Sequence, residues 1–215
     1  CIVEMLTPIA KAVSTDKGFD VCTRAIQVHG GYGFCKEYKV EQFARDCKIT
    51  AIYEGTNGIQ AIDLFGRKIR MSNGAAFNTL LSEMKATVEK ASKVTGLEPY
   101  AAAVGKSITA LEEITRFLLE KAAGEDAYLA YSWATPYLEI FGDIVLAWMF
   151  IWQAWKAQES MAGCSETDKQ FFYAGKIATA KFYIGSVLPA VYGKIGAARE
   201  FDRSFLELGE SIFLP

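Results

Sequence analysis

The stretch Ile52-Tyr53-Glu54-Gly55-Thr56-Asn57 separates two segments of helical sequence and decides the fold expected for this chain. Gly55 can leave the helical conformation at no steric cost, and Thr56 or Asn57 can cap a following helix by accepting a bond from a backbone N–H. Apolar residues recur with the spacing of one helical face on both sides; they are Val40, Phe43, Ala44 and Cys47 before the stretch and Ile59, Ile62, Phe65 and Ile69 after it. Glu54 therefore lies at a turn between two predicted helices.

The helical period continues through nearly the whole chain, and the alternation typical of strands is scarce. We predict an all-α fold, a helical bundle in two parts, residues 1–72 and 73–215, joined at Met71-Ser72-Asn73-Gly74, where Ser72 or Asn73 can cap the next helix. The predicted helices are 2–13, then a second capped by Asp16 that ends in the glycines at 30, 31 and 33, then 38–52 and 56–70, and in the second part 75–93, 99–122, 127–161, 167–198 and a short helix or turn at 205–213.

The second part carries local signals but no recognisable chemistry. Pro136 and Pro189 predict a break or kink in the helices that contain them. Ser165-Glu166-Thr167-Asp168 has the spacing of a capping box, with Asp in place of Glu. Residues 128–155 are crowded with aromatic side chains on more than one helical face, which predicts either a central helix of the bundle or a contact with another subunit.

Composition excludes several classes of function. The formal net charge of −2 and the sequence pI near 5.6 give no basic surface for nucleic acid. The five cysteines form no C-x-x-C pair, and His29 is the single histidine, so we predict no disulfide framework, no metal site and a reducing, cytoplasmic compartment. The most apolar run, 144–152, is shorter than the roughly 20 residues of a spanning helix, which predicts no membrane span.

The beginning of the chain predicts a fragment. Residue 1 is Cys rather than Met, and it already stands in a helical pattern of apolar residues. No basic region followed by an apolar core opens the chain as a signal peptide would. We therefore expect this segment to be the later part of a longer protein.

Glu54 is the first candidate for chemistry. A glutamate near a helix end is most often solvated. Here Ile52 and Tyr53 are adjacent, and apolar neighbours lower the local dielectric, which favours a carboxylate that acts as a base near neutral pH. Both interpretations, an ordinary surface glutamate and a catalytic base, are open at this point.

A second candidate is the glycine-rich stretch Gln27-Val28-His29-Gly30-Gly31-Tyr32-Gly33-Phe34. Glycines let a backbone approach a ligand, and N–H groups at such a turn can meet phosphate oxygens. It is not a dinucleotide fingerprint, because no G-x-G-x-x-G fits and no strand precedes it. The ordinary interpretation is the end of a helix followed by a turn, with His29 hydrogen-bonded locally rather than catalytic.

Taken together, residues 25–68 closely resemble the acyl-CoA dehydrogenases. Two motifs appear in the family's order and separation, the run from Ala25 to Gly33 and the run Ile52-Tyr53-Glu54-Gly55-Thr56-Asn57-Gly58-Ile59-Gln60, with Arg45-Asp46-Cys47-Lys48-Ile49 between them. Residues 1–70 resemble the last part of the family's C-terminal helical domain. Residues 71–215 resemble, less sharply, the extra helical domain of a large bacterial subgroup that includes the methylmercaptopropionyl-CoA dehydrogenases.

The resemblance implies roles for particular residues. Glu54 would be the base that removes the α-proton of an acyl-CoA thioester while a hydride leaves the β-carbon for the flavin N5. Gly55 would lie against the substrate, and Thr56, Asn57 and Gly58 would lie near the FAD. Residues Gln27, Gly30 and Gly31 would meet the adenosine-diphosphate part of an FAD bound mainly by a partner subunit. Arg45 and Asp46 also match the family, and we expect them to pair with other helices.

The resemblance also implies partners and a limit. An acyl-CoA dehydrogenase is an FAD-dependent oxidoreductase of fatty-acid metabolism, with electron-transfer flavoprotein as acceptor and a dimeric or tetrameric assembly. The family's N-terminal helical domain and middle β-domain carry most flavin and acyl contacts and are absent from this chain, so the chain alone is expected to be inactive. The alternative function is a non-catalytic helical module for assembly or interaction.

Overall fold

The computed structural model describes residues 2–206, apart from the side chain of Phe205. Within that range the chain is helical and contains no strand, which confirms the all-α fold. The helices are α1 (Ile2–His29), α2 (Val40–Lys48), α3 (Asn57–Asp63), α4 (Ala75–Ala91), α5 (Glu98–Ala122), α6 (Ala127–Ser132), α7 (Ala134–Ala162), α8 (Thr167–Phe182) and α9 (Ala190–Glu200). Short 3₁₀ turns cover Gly30–Phe34, Ile49–Ala51, Met71–Gly74 and Ser204–Leu206, and wider π turns at Leu64–Lys68 and Tyr183–Val187 continue α3 and α8.

Helix α1 runs without a break where the sequence predicts two helices. The hydroxyl of Ser14 donates to the carbonyl of Ala10 at 2.5 Å, and that of Thr15 donates to the carbonyl of Lys11 at 2.8 Å. These side chains bond back into their own helix instead of ending it. The prediction of a helix end at residue 13 and of an Asp16 cap is therefore wrong.

Several other boundary predictions can be compared with the structure. Thr56 caps α3 as expected, since its Oγ1 accepts a bond from the backbone N–H of Ile59 at 3.2 Å. Pro189 lies at the break between the π turn and α9, as predicted. Pro136 instead occupies the first turn of α7, where a missing N–H costs nothing, and the break falls at Trp133.

Two predicted caps do not form. Ser72 and Asn73 take left-handed backbone angles, with φ of 51° and 55°, and α4 begins after Gly74 with no side-chain cap. The capping box at residues 165–168 is also absent. Helix α8 starts at Thr167, directly after Glu166, and the Glu166 side chain makes no cap bond. It instead accepts a hydrogen bond from Lys169 Nζ at 2.7 Å. The predicted element at 205–213 lies mostly outside the described residues.

Helix α7 is the centre of the bundle and carries the aromatic-rich segment. Tyr137 and Phe141 have no exposed surface, and Trp148 is also buried. By length and composition α7 is apolar enough to cross a membrane, but 67% of its apolar stretch is buried inside the protein, as in the core helix of a bundle. Of the two interpretations offered by the sequence, the central helix is the one that the structure contains.

The hydrophobic core packs across the predicted division near residue 72. Met5, Ile9 and Phe65 from the first part belong to the same buried cluster as Leu80 and Phe141 from the second. Where α1 crosses α7, a Cβ on Gly142 would overlap the Cγ2 methyl of Val13, so the Val13 side chain packs directly against the backbone of α7 in space that only glycine leaves free.

A cluster of charged residues lies at the same crossing of α1 and α7. The buried carboxylate of Asp143 lies 3.5 Å from Lys17 Nζ and 3.7 Å from Lys194 Nζ, and it accepts a hydrogen bond from the Tyr183 hydroxyl at 3.1 Å. Burial, and then the negative charge of Asp143, raise the pKa of Tyr183 well above its usual range. Helices α1, α8 and α9 are thus linked to α7 through one carboxylate.

Candidate functional site

The loop between the 3₁₀ turn Ile49–Ala51 and α3 contains two consecutive residues with left-handed backbone angles. Glu54 has φ of 53° and Gly55 has φ of 84°. Glycine adopts this conformation freely, whereas for other L-residues it costs about 1–2 kcal/mol. Such a residue persists only where its surroundings hold it, and residues of this kind cluster at functional sites.

Specific hydrogen bonds hold this loop. The side-chain amide of Gln60 donates to the Glu54 carbonyl at 3.3 Å, and Lys11 Nζ donates to the Gly55 carbonyl at 2.9 Å. Lys11 Nζ also donates to Asn57 Oδ1 at 2.7 Å. The left-handed turn is therefore fixed from α3 on one side and from α1 on the other.

The Asn57 side chain is turned towards α1. Its Nδ2 donates to Thr15 Oγ1 at 3.0 Å and lies 3.4 Å from the carbonyl of Ala12. Since its Oδ1 is bonded to Lys11 and Thr56 Oγ1 caps α3, both side chains have structural partners. The side chains of Thr56 and Asn57 are therefore engaged in holding the turn.

Glu54 is exposed in this turn. Ile52 and Tyr53 beside it are also exposed, with 50% and 51% of their surface accessible. The expected enclosure of the carboxylate by these two neighbours is therefore wrong for this chain. Any water-excluding wall around Glu54 has to come from outside the described residues.

The glycine-rich turn follows directly where α1 ends at His29. Gly33 is buried, and a Cβ there would clash with the backbone of Ile26, so this position requires glycine for packing. Gly30 has φ of 62°, and at Gly30 and Gly31 an added Cβ would meet nothing within 4 Å, which leaves the backbone open to a ligand. An open, side-chain-free turn next to the exposed Gln27 fits the approach of a polyphosphate group such as that of FAD.

His29 takes part in the helix end and not in this open surface. Its Nδ1 lies 2.9 Å from the carbonyl oxygen of Ala25, one turn earlier. The local hydrogen bond predicted from the sequence is confirmed.

The two motifs lie beside different parts of α1. The Glu54 loop is bonded to Lys11, Ala12 and Thr15, whereas the glycine turn follows residue 29. At 1.5 Å per residue, the 15 residues from Thr15 to Gly30 span about 20 Å. The motifs are therefore too far apart to contact the same small group, but each can contact a different part of an extended ligand or a different copy of it.

Exposed apolar residues lie within both motifs and in the helices next to them. These residues, which we call the motif face, are Val28, Tyr32, Phe34, Phe43, Ile49, Ile52, Tyr53, Ile59 and Ile62, each at least half exposed. Large apolar side chains exposed together in one part of a protein often mark a region that another protein segment covers. The motif face therefore indicates that another protein segment covers both motifs.

Two charged residues near the site differ from their sequence interpretation. Arg45 was expected to pair with another helix, but its Nε lies 3.1 Å from Glu41 on the same helix. The Glu41 side chain in this pair is only 18% exposed. Sequence reasoning also gave Lys11 no role, because nothing local signals a contact with residues 44 and 46 positions away.

Comparison with known proteins identifies the class to which this fold and motif pair belong. Residues 2–69 match the family model for the acyl-CoA dehydrogenase C-terminal domain, and residues 80–209 match the model described as acetyl-CoA dehydrogenase C-terminal like. The chain belongs to the acyl-CoA dehydrogenase family.

Particular relatives resemble the chain along most of its length. It is 29% identical, over 98% of its residues, to a broad-specificity linear acyl-CoA dehydrogenase of Mycobacterium tuberculosis, and 32% identical, over 87%, to a 3-methylmercaptopropionyl-CoA dehydrogenase of Ruegeria pomeroyi. It spans only 35% and 31% of the lengths of these two proteins. Over 62 residues, 29% of the chain and 16% of the relative, it is 42% identical to a caffeyl-CoA reductase-Etf complex subunit of Acetobacterium woodii.

Proposed function

We propose that this chain supplies the catalytic base and part of the flavin-binding surface of an FAD-dependent acyl-CoA dehydrogenase. The observation that carries the proposal is the left-handed Glu54, held from two sides in an exposed turn that matches the family's Tyr-Glu-Gly-Thr motif. Backbone strain that is held by specific hydrogen bonds at an exposed carboxylate is of the kind that clusters at functional sites. Family membership supports the same assignment.

In the proposed reaction, Glu54 takes the proton from the α-carbon of an acyl-CoA thioester. FAD, when bound, supplies the acceptor for the hydride that leaves the β-carbon, and the product is the α,β-unsaturated thioester. A thioester α-proton is weakly acidic, so the carboxylate must be oriented towards it and kept from water. The turn provides the orientation, and coverage of the motif face by the remainder of the protein would exclude water.

Two further contacts are proposed for this chain. Gly30 and Gly31, which leave the backbone open beside Gln27, would hold the diphosphate part of an FAD shared with a partner subunit. The exposed Val28, Tyr32 and Phe34 next to them would lie at that subunit contact in a homo-oligomer. Electron-transfer flavoprotein is the proposed electron acceptor, supported by the resemblance to the subunit of an Etf complex.

The test is replacement of Glu54 by Gln in the full-length protein. Gln keeps the size and polarity of the side chain but removes the basic lone pair, so FAD and acyl-CoA should still bind while α-proton abstraction fails. We expect the rate of flavin reduction by an acyl-CoA thioester to fall about 10²–10⁴-fold or more, since general-base catalysis typically contributes that factor. Anaerobic stopped-flow absorbance of the flavin measures this rate across a panel of chain lengths, including a methylthio-propionyl thioester.

Matched variants make the result specific. Glu54→Asp, with a shorter reach, should retain more activity than Glu54→Gln. The control is Glu37→Gln, a solvent-exposed glutamate in the loop before α2, whereas Glu41 is unsuitable because it pairs with Arg45. Flavin reduction by Glu54→Gln at close to the wild-type rate would place the base elsewhere.

A further inference from the structure

Among the side-chain hydrogen bonds of the described residues, Lys11 is the residue of α1 that bonds directly to the backbone of the Glu54 turn. It lies half-buried in the middle of α1, and its ammonium group donates to the Gly55 carbonyl at 2.9 Å and to Asn57 Oδ1 at 2.7 Å. Hydrogen bonds from a charged donor are shorter and stronger than those between neutral groups. The carbonyl that Lys11 holds belongs to the residue immediately after Glu54.

A second set of hydrogen bonds fixes the Asn57 side chain, which is the other acceptor of the Lys11 ammonium group. Asn57 receives the Lys11 bond on Oδ1 and donates through Nδ2 to Thr15 Oγ1, one helical turn after Lys11. Thr15 Oγ1 in turn donates to the Lys11 carbonyl at 2.8 Å. Lys11, Asn57 and Thr15 therefore form a closed network in which the ammonium group cannot shift without breaking another bond.

We propose that Lys11 is a positioning residue for the catalytic base, a role that rests on the function proposed above for Glu54. By holding the Gly55 carbonyl, it fixes the left-handed backbone of residues 54 and 55 and thereby the direction of the Glu54 carboxylate. Lys11 exchanges no proton with substrate in this role. Its loss should affect the rate of the chemical step far more than the binding of acyl-CoA.

The experiment is Lys11→Met in the full-length holoenzyme, because Met keeps the length of the aliphatic stem without the donors. We expect the rate of flavin reduction to fall about 10–100-fold, the loss typical of a displacement of about 1 Å in a catalytic group. The dissociation constant of a non-reacting acyl-CoA analogue should stay within about threefold, since uniform binding is not removed. Lys11→Arg, which keeps a charged donor, should recover a substantial part of the rate.

A second readout is independent of activity. Amide hydrogen exchange of residues 53–58 should become faster in Lys11→Met, because the turn loses its link to α1, while exchange in α5 stays unchanged. The control is Lys17→Met, a lysine of the same helix that pairs with Asp143 instead of the turn. It should leave both the flavin reduction rate and the exchange of residues 53–58 at the wild-type level.

The outcomes separate this inference from the proposed function. If Glu54→Gln is inactive and the flavin reduction rate of Lys11→Met is within about twofold of the wild-type rate, the positioning role of Lys11 is wrong and Glu54 remains the proposed base. If Glu54→Gln is active, the proposed function fails first. Should Lys11→Met not fold, Thr15→Val decides: it removes one hydrogen bond of the network and should lower the rate about twofold to tenfold, and an unchanged rate would overturn the proposal.

Discussion

Tyr137 is the largest side chain among the fully buried residues of the described core, and its hydroxyl has one partner there. Thr115 Oγ1 donates to the Leu111 carbonyl at 2.6 Å, so at the 2.7 Å contact the Tyr137 hydroxyl is the donor and Thr115 Oγ1 the acceptor. Burial raises the pKa of Tyr137 well above its usual range, because the charged phenolate would lose its hydration in the core.

The raised pKa of Tyr137 makes the folding stability depend on pH in a definite direction. The folded state binds the phenolic proton more tightly than the unfolded chain does, so the stabilisation is complete below about pH 10, the unfolded value, and is lost as the pH rises further. Tyr137→Phe should cost about 1 kcal/mol at pH 7 and should flatten the decline of stability above pH 10. Urea denaturation of the chain at pH 7 to 11 measures both effects.

Tyr128→Phe is the matched control, since Tyr128 is 85% exposed and should change neither quantity. An alkaline decline that is as steep in Tyr137→Phe as in wild type would show that this phenol is not the group responsible.

At the same scale, the sequence predicts what neighbouring residues decide. The Thr56 cap and the local bond of His29 were predictable because donor and acceptor lie within four positions. The Glu54 motif was also recognisable, since its residues are contiguous. The role of Lys11 was not predictable, because its partners become neighbours only when α1 and α3 pack together.

At the scale of the element, α1 and α7 are fitted to each other at a single glycine. A Cβ at Gly142 would overlap Val13 Cγ2, and overpacking of a well-filled interior typically costs about 1–3 kcal/mol. We therefore expect Gly142→Ala to lower the free energy of unfolding by that amount, as measured by urea denaturation of the chain. The change also separates α1 from α7 at Asp143, the next residue.

Gly193→Ala is the companion variant. Gly193 lies on α9 with open space around the position of a Cβ, so alanine there should stabilise the chain by about 0.4–1 kcal/mol through a less flexible unfolded state. Equal effects of the two substitutions would mean that α1 and α7 are not in close contact.

Helix boundaries were harder to predict than helix existence, for a physical reason. Ser14, Thr15 and Asp16 are good helix ends by local preference, but in the continuous α1 the hydroxyls of Ser14 and Thr15 bond to carbonyls one turn earlier and Lys17 lies at Asp143. Tertiary contacts made by a continuous helix, such as those of Lys11, Thr15 and Lys17, outweigh one local cap of about 1 kcal/mol. The π turns were missed because one extra residue per turn leaves little trace in an apolar pattern.

At the scale of the whole molecule, the chain spans about a third of the length of the relatives it matches along most of its residues. Both motifs contain and adjoin exposed apolar residues, so the flavin contacts proposed here are only part of a site. We expect the 215-residue chain, expressed alone, to purify with FAD far below one per chain, while the full-length protein retains it. Visible flavin absorbance against protein concentration measures the ratio, and a stoichiometric yellow chain would contradict this placement of the cofactor site.

The single glycine at the crossing of α1 and α7 has a consequence for how such proteins evolve. The segments that match two different family models share one core, and Val13 of the first must meet Gly142 of the second. Recombination between relatives at residues 70–79 would join halves whose contact surfaces were selected separately, and any residue larger than glycine at position 142 would make the hybrid clash. The C-terminal segment is therefore expected to be inherited together with its α1, so that phylogenetic trees built from the two segments should share one branching order.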